Sequence, residues 1–115
     1  MRKALAVLVL ICLLGALIGG ALAQSKSAKS LMLSELSAIR RDVGNKYWTS
    51  ALHRAGKVNA YWQAYRKVHR DLKPSVINGF HKHFLNLQAH LRQRDTVKVF
   101  LDVSGLQTII AVLKT

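Results

Sequence analysis

The chain has 115 residues and carries 18 Lys and Arg against 5 Asp and Glu, a formal charge of +13. That length holds one small domain. Its single cysteine, Cys12, excludes a disulfide framework and a thiolate zinc site, and the sequence contains neither a Gly-rich phosphate loop nor a Gly-x-Ser-x-Gly turn.

Met1-Arg2-Lys3 precedes an unbroken apolar run from Ala4 to Ala23. The run closes on Gly19-Gly20-Ala21-Leu22-Ala23, and polar Gln24-Ser25-Lys26-Ser27 follows. A positive start, an apolar stretch and a small-x-small ending are the parts of a secretory signal. The same run is long enough to span a bilayer. Residues 1–23 therefore read as a cleaved signal or a retained anchor. Either reading puts the remainder outside the cytoplasm, secreted or periplasmic in one case and tethered in the other. Residues 24–30 read as a flexible lead and 31–115 as a basic helical domain.

The first predicted helix runs from about Ala28 to Val43, with Met32, Leu36, Ile39 and Val43 stepping by 4, 3 and 4. Gly44 is expected to stop it in a left-handed conformation, and Asn45 to cap the next helix. The second helix is predicted over about Lys46 to Leu72, unbroken at Gly56. Its apolar phase is carried by Trp48, Leu52, Ala55, Val58, Trp62, Tyr65, His69 and Leu72. Pro74 suits the first turn of a third helix bearing Ile77, Phe80, Phe84, Leu87 and Leu91. Asp95 is a natural N-cap for a fourth helix, whose seam is Val99, Val103, Leu106, Ile110 and Leu113. The expected fold is all-α, a small antiparallel bundle or a pair of stacked helical hairpins with about four helices.

Chemistry-bearing residues are sparse. His53, His69, His81, His83 and His90 include no pair at i, i+4, the spacing that puts two imidazoles on one helix face. The acids Glu35, Asp42, Asp71, Asp95 and Asp102 are scattered, and Asp102 is expected to pair with Lys98 one turn away. Ser104-Gly105 reads as a close-packing point inside a helix. No catalytic residue, metal ligand or cofactor site is assigned.

Two features remain as surface candidates. Tyr47-Trp48 recurs as Tyr61-Trp62 on the same helix face. Trp48 and Trp62 are then core residues, or an aromatic interface if exposed. Arg54, Lys57, Arg66, Lys67, Arg70 and Lys73 form a candidate polyanion-binding surface, densest from Arg66 to Lys73. The base-reading Asn, Gln and Arg pattern of a sequence-specific DNA reader is missing.

The order Trp48, Ala51, Val58, Trp62, a basic stretch to His69, Ile77, Leu87, and Asp95 opening a helix that ends Leu106-Gln107-Thr108-Ile109-Ile110-Ala111-Val112-Leu113 resembles an uncharacterised family of small bacterial envelope proteins. The resemblance runs from about Ile39 to Leu113. It implies an N-terminal hydrophobic helix and a short helical domain on the outer face, with no assigned activity or site. Members are rich in acidic residues, and this chain departs from them in being basic.

The reading reached from the sequence is a non-enzymatic, exported or membrane-tethered helical domain. It would bind a protein partner or an anionic envelope surface, with self-association compatible with its seams. One alternative is a cationic membrane-active protein that folds on lipid. The other is a haem- or metal-binding bundle using His69, His83 or His90.

Overall fold

A computed structural model describes residues 27–115, so the signal or anchor expected over residues 1–23 lies outside the described residues. Four helices follow one another, α1 (Ala28–Gly44), α2 (Trp48–Val68), α3 (Pro74–Arg92) and α4 (Thr96–Ala111), with no strand among the described residues. The all-α expectation holds, and α2 passes Gly56 unbroken. No helix among the described residues is long and apolar enough to cross a membrane.

Ser27 starts α1, its side chain accepting from the Ser30 N–H at 3.2 Å. The helix begins at Ala28, where the apolar spacing placed its start, and so includes residues 28–30 of the segment read as lead. The hydroxyl takes up one of the unpaired donors of the first turn. Asp95 does the same for α4, accepting from the Lys98 N–H at 3.1 Å. Pro74 occupies the first turn of α3, and Lys73 before it is extended (φ −66°, ψ 141°), as a residue preceding proline must be. α2 ends at Val68, four residues short of the expected Leu72, and residues His69 to Lys73 link it to α3.

The two hairpin turns share one geometry. After α1, Lys46 N–H reaches the Val43 carbonyl at 3.0 Å and Tyr47 N–H reaches that of Asp42 at 2.8 Å. After α3, Arg94 N–H reaches Leu91 at 3.1 Å and Asp95 N–H reaches His90 at 3.0 Å. Both are Schellman closures, which need one left-handed residue. That residue is Lys46 (φ 66°) in the first turn and Arg94 (φ 55°) in the second. Gly44 is not the left-handed stop expected of it; it stays in the last turn of α1. Nor does Asn45 cap α2, whose cap residue is Tyr47, without any side-chain cap bond.

α1 packs chiefly on α2 and α3 on α4, while α1 also contacts α4 and α2 contacts α3 least. The result is two antiparallel hairpins closed into a four-helix bundle. Their cores superimpose in sequence at a constant offset of 48 residues. Met32, Leu36, Ile39 and Val43 in the first hairpin answer to Phe80, Phe84, Leu87 and Leu91 in the second. Ala51, Ala55, Val58, Trp62 and Tyr65 answer likewise to Val99, Val103, Leu106, Ile110 and Leu113. All eighteen are buried. The seam of α2 therefore runs through Ala51, fully buried, rather than Leu52, which is 36% exposed.

The small side chains Ala51 and Ala55 suit the close α1–α2 pairing. Large rings fill the wider α2–α3 gap, where Trp62 stacks on Phe80 with centroids 4.0 Å apart. Phe80 stacks on Phe84 at 5.8 Å and Tyr65 on His69 at 3.9 Å, extending the column at both ends. Arg40 of α1 lies over the Phe100 ring of α4 at 5.6 Å, a cation–π contact across the other seam. Gly105 behaves as the close-packing point expected: a Cβ there would meet the His83 ring at 2.8 Å.

Candidate functional site: the basic end of the bundle

The five acidic side chains of the chain are all engaged. Arg54 donates from Nε to Asp42 Oδ2 at 2.8 Å and from Nη1 to Glu35 Oε1 at 3.0 Å. Ser50 donates its hydroxyl to the same Asp42 oxygen at 2.7 Å. Burial pushes the Asp42 carboxyl up, but the Ser50 and Arg54 hydrogen bonds and the charges of Arg54 and Arg41 outweigh it, and its pKa falls below the ordinary value. The bonds to Asp42 and Glu35 raise that of Arg54 further. In the second hairpin His90 Nδ1 meets Asp102 Oδ2 at 2.5 Å. Asp42–Arg54 and His90–Asp102 occupy the same two positions of their hairpins with the residue types exchanged. Asp102 thus pairs with His90, not with Lys98, which lies 4.0 Å from Asp95. Asp71 lies 3.8 Å from Lys114.

Arg54, expected on the polyanion surface, is therefore withdrawn into two ion pairs inside the first hairpin. Lys57 is exposed but lies about two and a half turns from Arg66, on the opposite side of α2. The other four expected cations do come together. Arg66, Lys67 and Arg70 line a groove of 380 Å³ with Gln63, His69, Leu72 and Ile77. Lys73 lines an adjoining pocket of 260 Å³ that shares His69 and Leu72 and reaches Val112 to Lys114. A recess of 110 Å³, lined by Trp62, Phe80 and Phe84, opens beside the first and shares Gln63, Arg66 and Ile77 with it. The groove lies where the end of α2, the His69–Lys73 link and the start of α3 meet, beside the Trp62–Phe80 stack.

All four side chains are exposed, and none is in an ion pair among the described residues. Arg70 Nε makes one long bond, 3.4 Å, to the Lys67 carbonyl. Arg66 and Lys67 sit in the last turn of α2, where the helix dipole favours positive charge. The first turn of α3 opposite has no acid and no side-chain cap, so nothing there offsets the cations.

The tryptophans do not form an interface. Trp48 is 9% and Trp62 3% exposed, and both belong to the core. The histidines named for metal or haem are dispersed: His69 stacks on Tyr65, His83 packs on Gly105 and His90 holds Asp102. Among the described residues no three His, Cys, Asp or Glu side chains converge on a metal position. His90 and Asp102 have the base-and-orienter form of a hydrolytic pair, but neither lines the three cavities above, and no nucleophile among the described residues is hydrogen-bonded to them.

No family model, curated protein or solved structure matches this chain.

Proposed function

We propose that this chain is a non-enzymatic interaction module, exported or membrane-tethered, that binds an anionic polymer or surface through the groove lined by Arg66, Lys67 and Arg70 and the adjoining pocket of Lys73. The observation that carries this reading is how charge is distributed. Every side-chain carboxylate has a cationic partner, three of them across the two helices of a hairpin. These four cations instead stand exposed around two adjoining concavities, outside any ion pair among the described residues. Clustered cations attract polyanions by long-range steering and by releasing the counterions bound to them. Base-specific readout of a nucleic acid is not expected, because cations that meet phosphates carry no sequence information.

The test uses inorganic polyphosphate as probe, with binding followed by fluorescence anisotropy at rising salt. The wild type should bind with an affinity that falls steeply as salt increases. Arg66→Gln, Lys67→Gln, Arg70→Gln and Lys73→Gln combined should bind weakly, with a log–log salt slope shallower by roughly one for each cation engaged. Equal binding by wild type and variant refutes the assignment of this surface. Circular dichroism in lipid-free buffer separates the proposal from a protein that gains helix only on lipid. The continuous buried core supports a cooperative helical melt there.

A further inference from the structure

The basic groove lies at a particular end of the bundle. Lys29, in the first turn of α1, donates to the carbonyls of Ala111 at 2.9 Å and Leu113 at 2.8 Å. Tyr65, near the end of α2, donates its hydroxyl to the Lys114 carbonyl at 2.8 Å. The start of α1, the end of α4 and the His69–Lys73 link therefore share one end. The two Schellman turns occupy the other.

Only Gln24, Ser25 and Lys26 separate Ala23, the last residue of the apolar run, from Ser27, the cap of α1. Even fully extended, such a connector spans about 14 Å. The headgroup layer takes up roughly 5–7 Å of that reach, which leaves the start of α1 within about one Debye length, ~8 Å at physiological salt, of the headgroup surface. A bilayer holding the apolar run would keep this end of the domain close enough to its surface for the field of the headgroups to act on it.

We infer that the basic end docks on anionic lipid headgroups of the membrane entered by the Ala4–Ala23 run, so that the bundle stands end-on to the bilayer. This rests on the reading of the groove as an anion-binding surface and names its partner. Charge alone does not select this end, since exposed Arg41, Lys46, Arg92 and Arg94 make the far end basic as well. The connector selects it. Exposed Val68 and Val112, each 77% accessible, lie beside Lys67 and in the Lys73 pocket. They add apolar contacts suited to the headgroup boundary. Asp71, the acidic side chain at this end, is beside Lys114.

The experiment uses the full chain with Cys12→Ser, reconstituted into phosphatidylcholine vesicles with or without phosphatidylglycerol. A bimane label is placed by Val68→Cys or, at the far end, by Lys46→Cys, and a headgroup nitroxide serves as quencher. The label at 68 should be quenched in anionic vesicles, less in neutral ones, and released by salt. The label at 46 should stay bright in both. Neutralising Arg66, Lys67, Arg70 and Lys73 to Gln should lower the docked-to-free ratio about fivefold per cation, roughly several hundredfold for all four. With the label at 68, the same four changes at Lys46, Arg92, Arg94 and Lys98 should leave it unchanged. Equal quenching at 68 in neutral and anionic vesicles, or quenching at 46 as strong as at 68, overturns the inference. If docking fails while polyphosphate still binds, the lipid partner is wrong and the anion-binding surface stands. If both fail, both fall.

Discussion

Replacing Arg54 by Met keeps the aliphatic stem and removes the guanidinium that serves two carboxylates. Buried Asp42 would retain only the Ser50 hydroxyl, and Glu35 would lose its donor. Breaking a fully buried pair costs about 3–5 kcal/mol and an exposed one about 0–1 kcal/mol. The Arg54 side chain keeps 28% of its surface in water, so screening discounts the buried figure, and we expect a loss of about 2–3 kcal/mol. For a domain of this size that lowers Tm by about 10–20 °C, read by circular dichroism at neutral pH. The pH dependence has a fixed sign. The folded Asp42 pKa is depressed, so its contribution is fully present above the unfolded value of about 3.9 and is lost as pH falls through the lower folded value. The gap between wild type and Arg54→Met should therefore narrow in acid. A loss below about 0.5 kcal/mol at neutral pH, or a gap that widens in acid, refutes the reasoning.

Four further outcomes follow from the packing. Gly56 is exposed with nothing near its missing Cβ, so Gly56→Ala should stabilise by about 0.5–1 kcal/mol. Gly105→Ala has the same propensity gain but displaces the His83 ring, so it should be less stable than Gly56→Ala, and adding His83→Ala should shrink the difference; equal melting of the two alanine variants would falsify the contact. Burial raises the Tyr65 pKa, the Lys114 hydrogen bond opposes this, and the Asp71 charge adds to it. An alkaline absorbance titration should therefore show one tyrosine component above the ordinary value, absent in Tyr65→Phe, with about 0.5–1.5 kcal/mol of stability lost in that variant. Trp62→Ala removes the main stack across α2–α3 and should cost about 3–5 kcal/mol by chemical denaturation.

The helices were legible because their apolar residues recur at helical spacing and two of their starts carry Pro74 and Asp95, whose chemistry acts locally; the Ser27 cap went unread inside the polar stretch after the apolar run. The turns were less so. Glycine was the expected left-handed residue, yet the positions that close the Schellman bonds are held by Lys46 and Arg94, which tolerate that conformation at some cost. The duplication of the two hairpins was present as a repeated 4, 3, 4 and 4, 3, 4, 3 spacing. It was hidden because Leu52, more apolar than Ala51, drew the seam one residue off. Ala51 is buried because α1 packs closest on α2, a tertiary fact no hydropathy scale carries.

The basic cluster was visible as charge density from Arg66 to Lys73, but its membership was not. Arg54 differs from Arg66 only in what α1 places beside it, namely Glu35 and Asp42 from a different helix. Likewise Asp102 has Lys98 one turn away on its own helix but meets His90 across the hairpin. Pairing along a helix can be read from spacing. Pairing between helices needs the register, which the turns set.

The most direct test of the central claim is a map of amide chemical shifts during titration with polyphosphate. Perturbations centred on residues 63–77, and weak at 41–46 and 92–98, are the predicted result. Shifts centred on the two Schellman turns, or spread evenly over every exposed cation, would contradict it and leave the groove between α2 and α3 without a role.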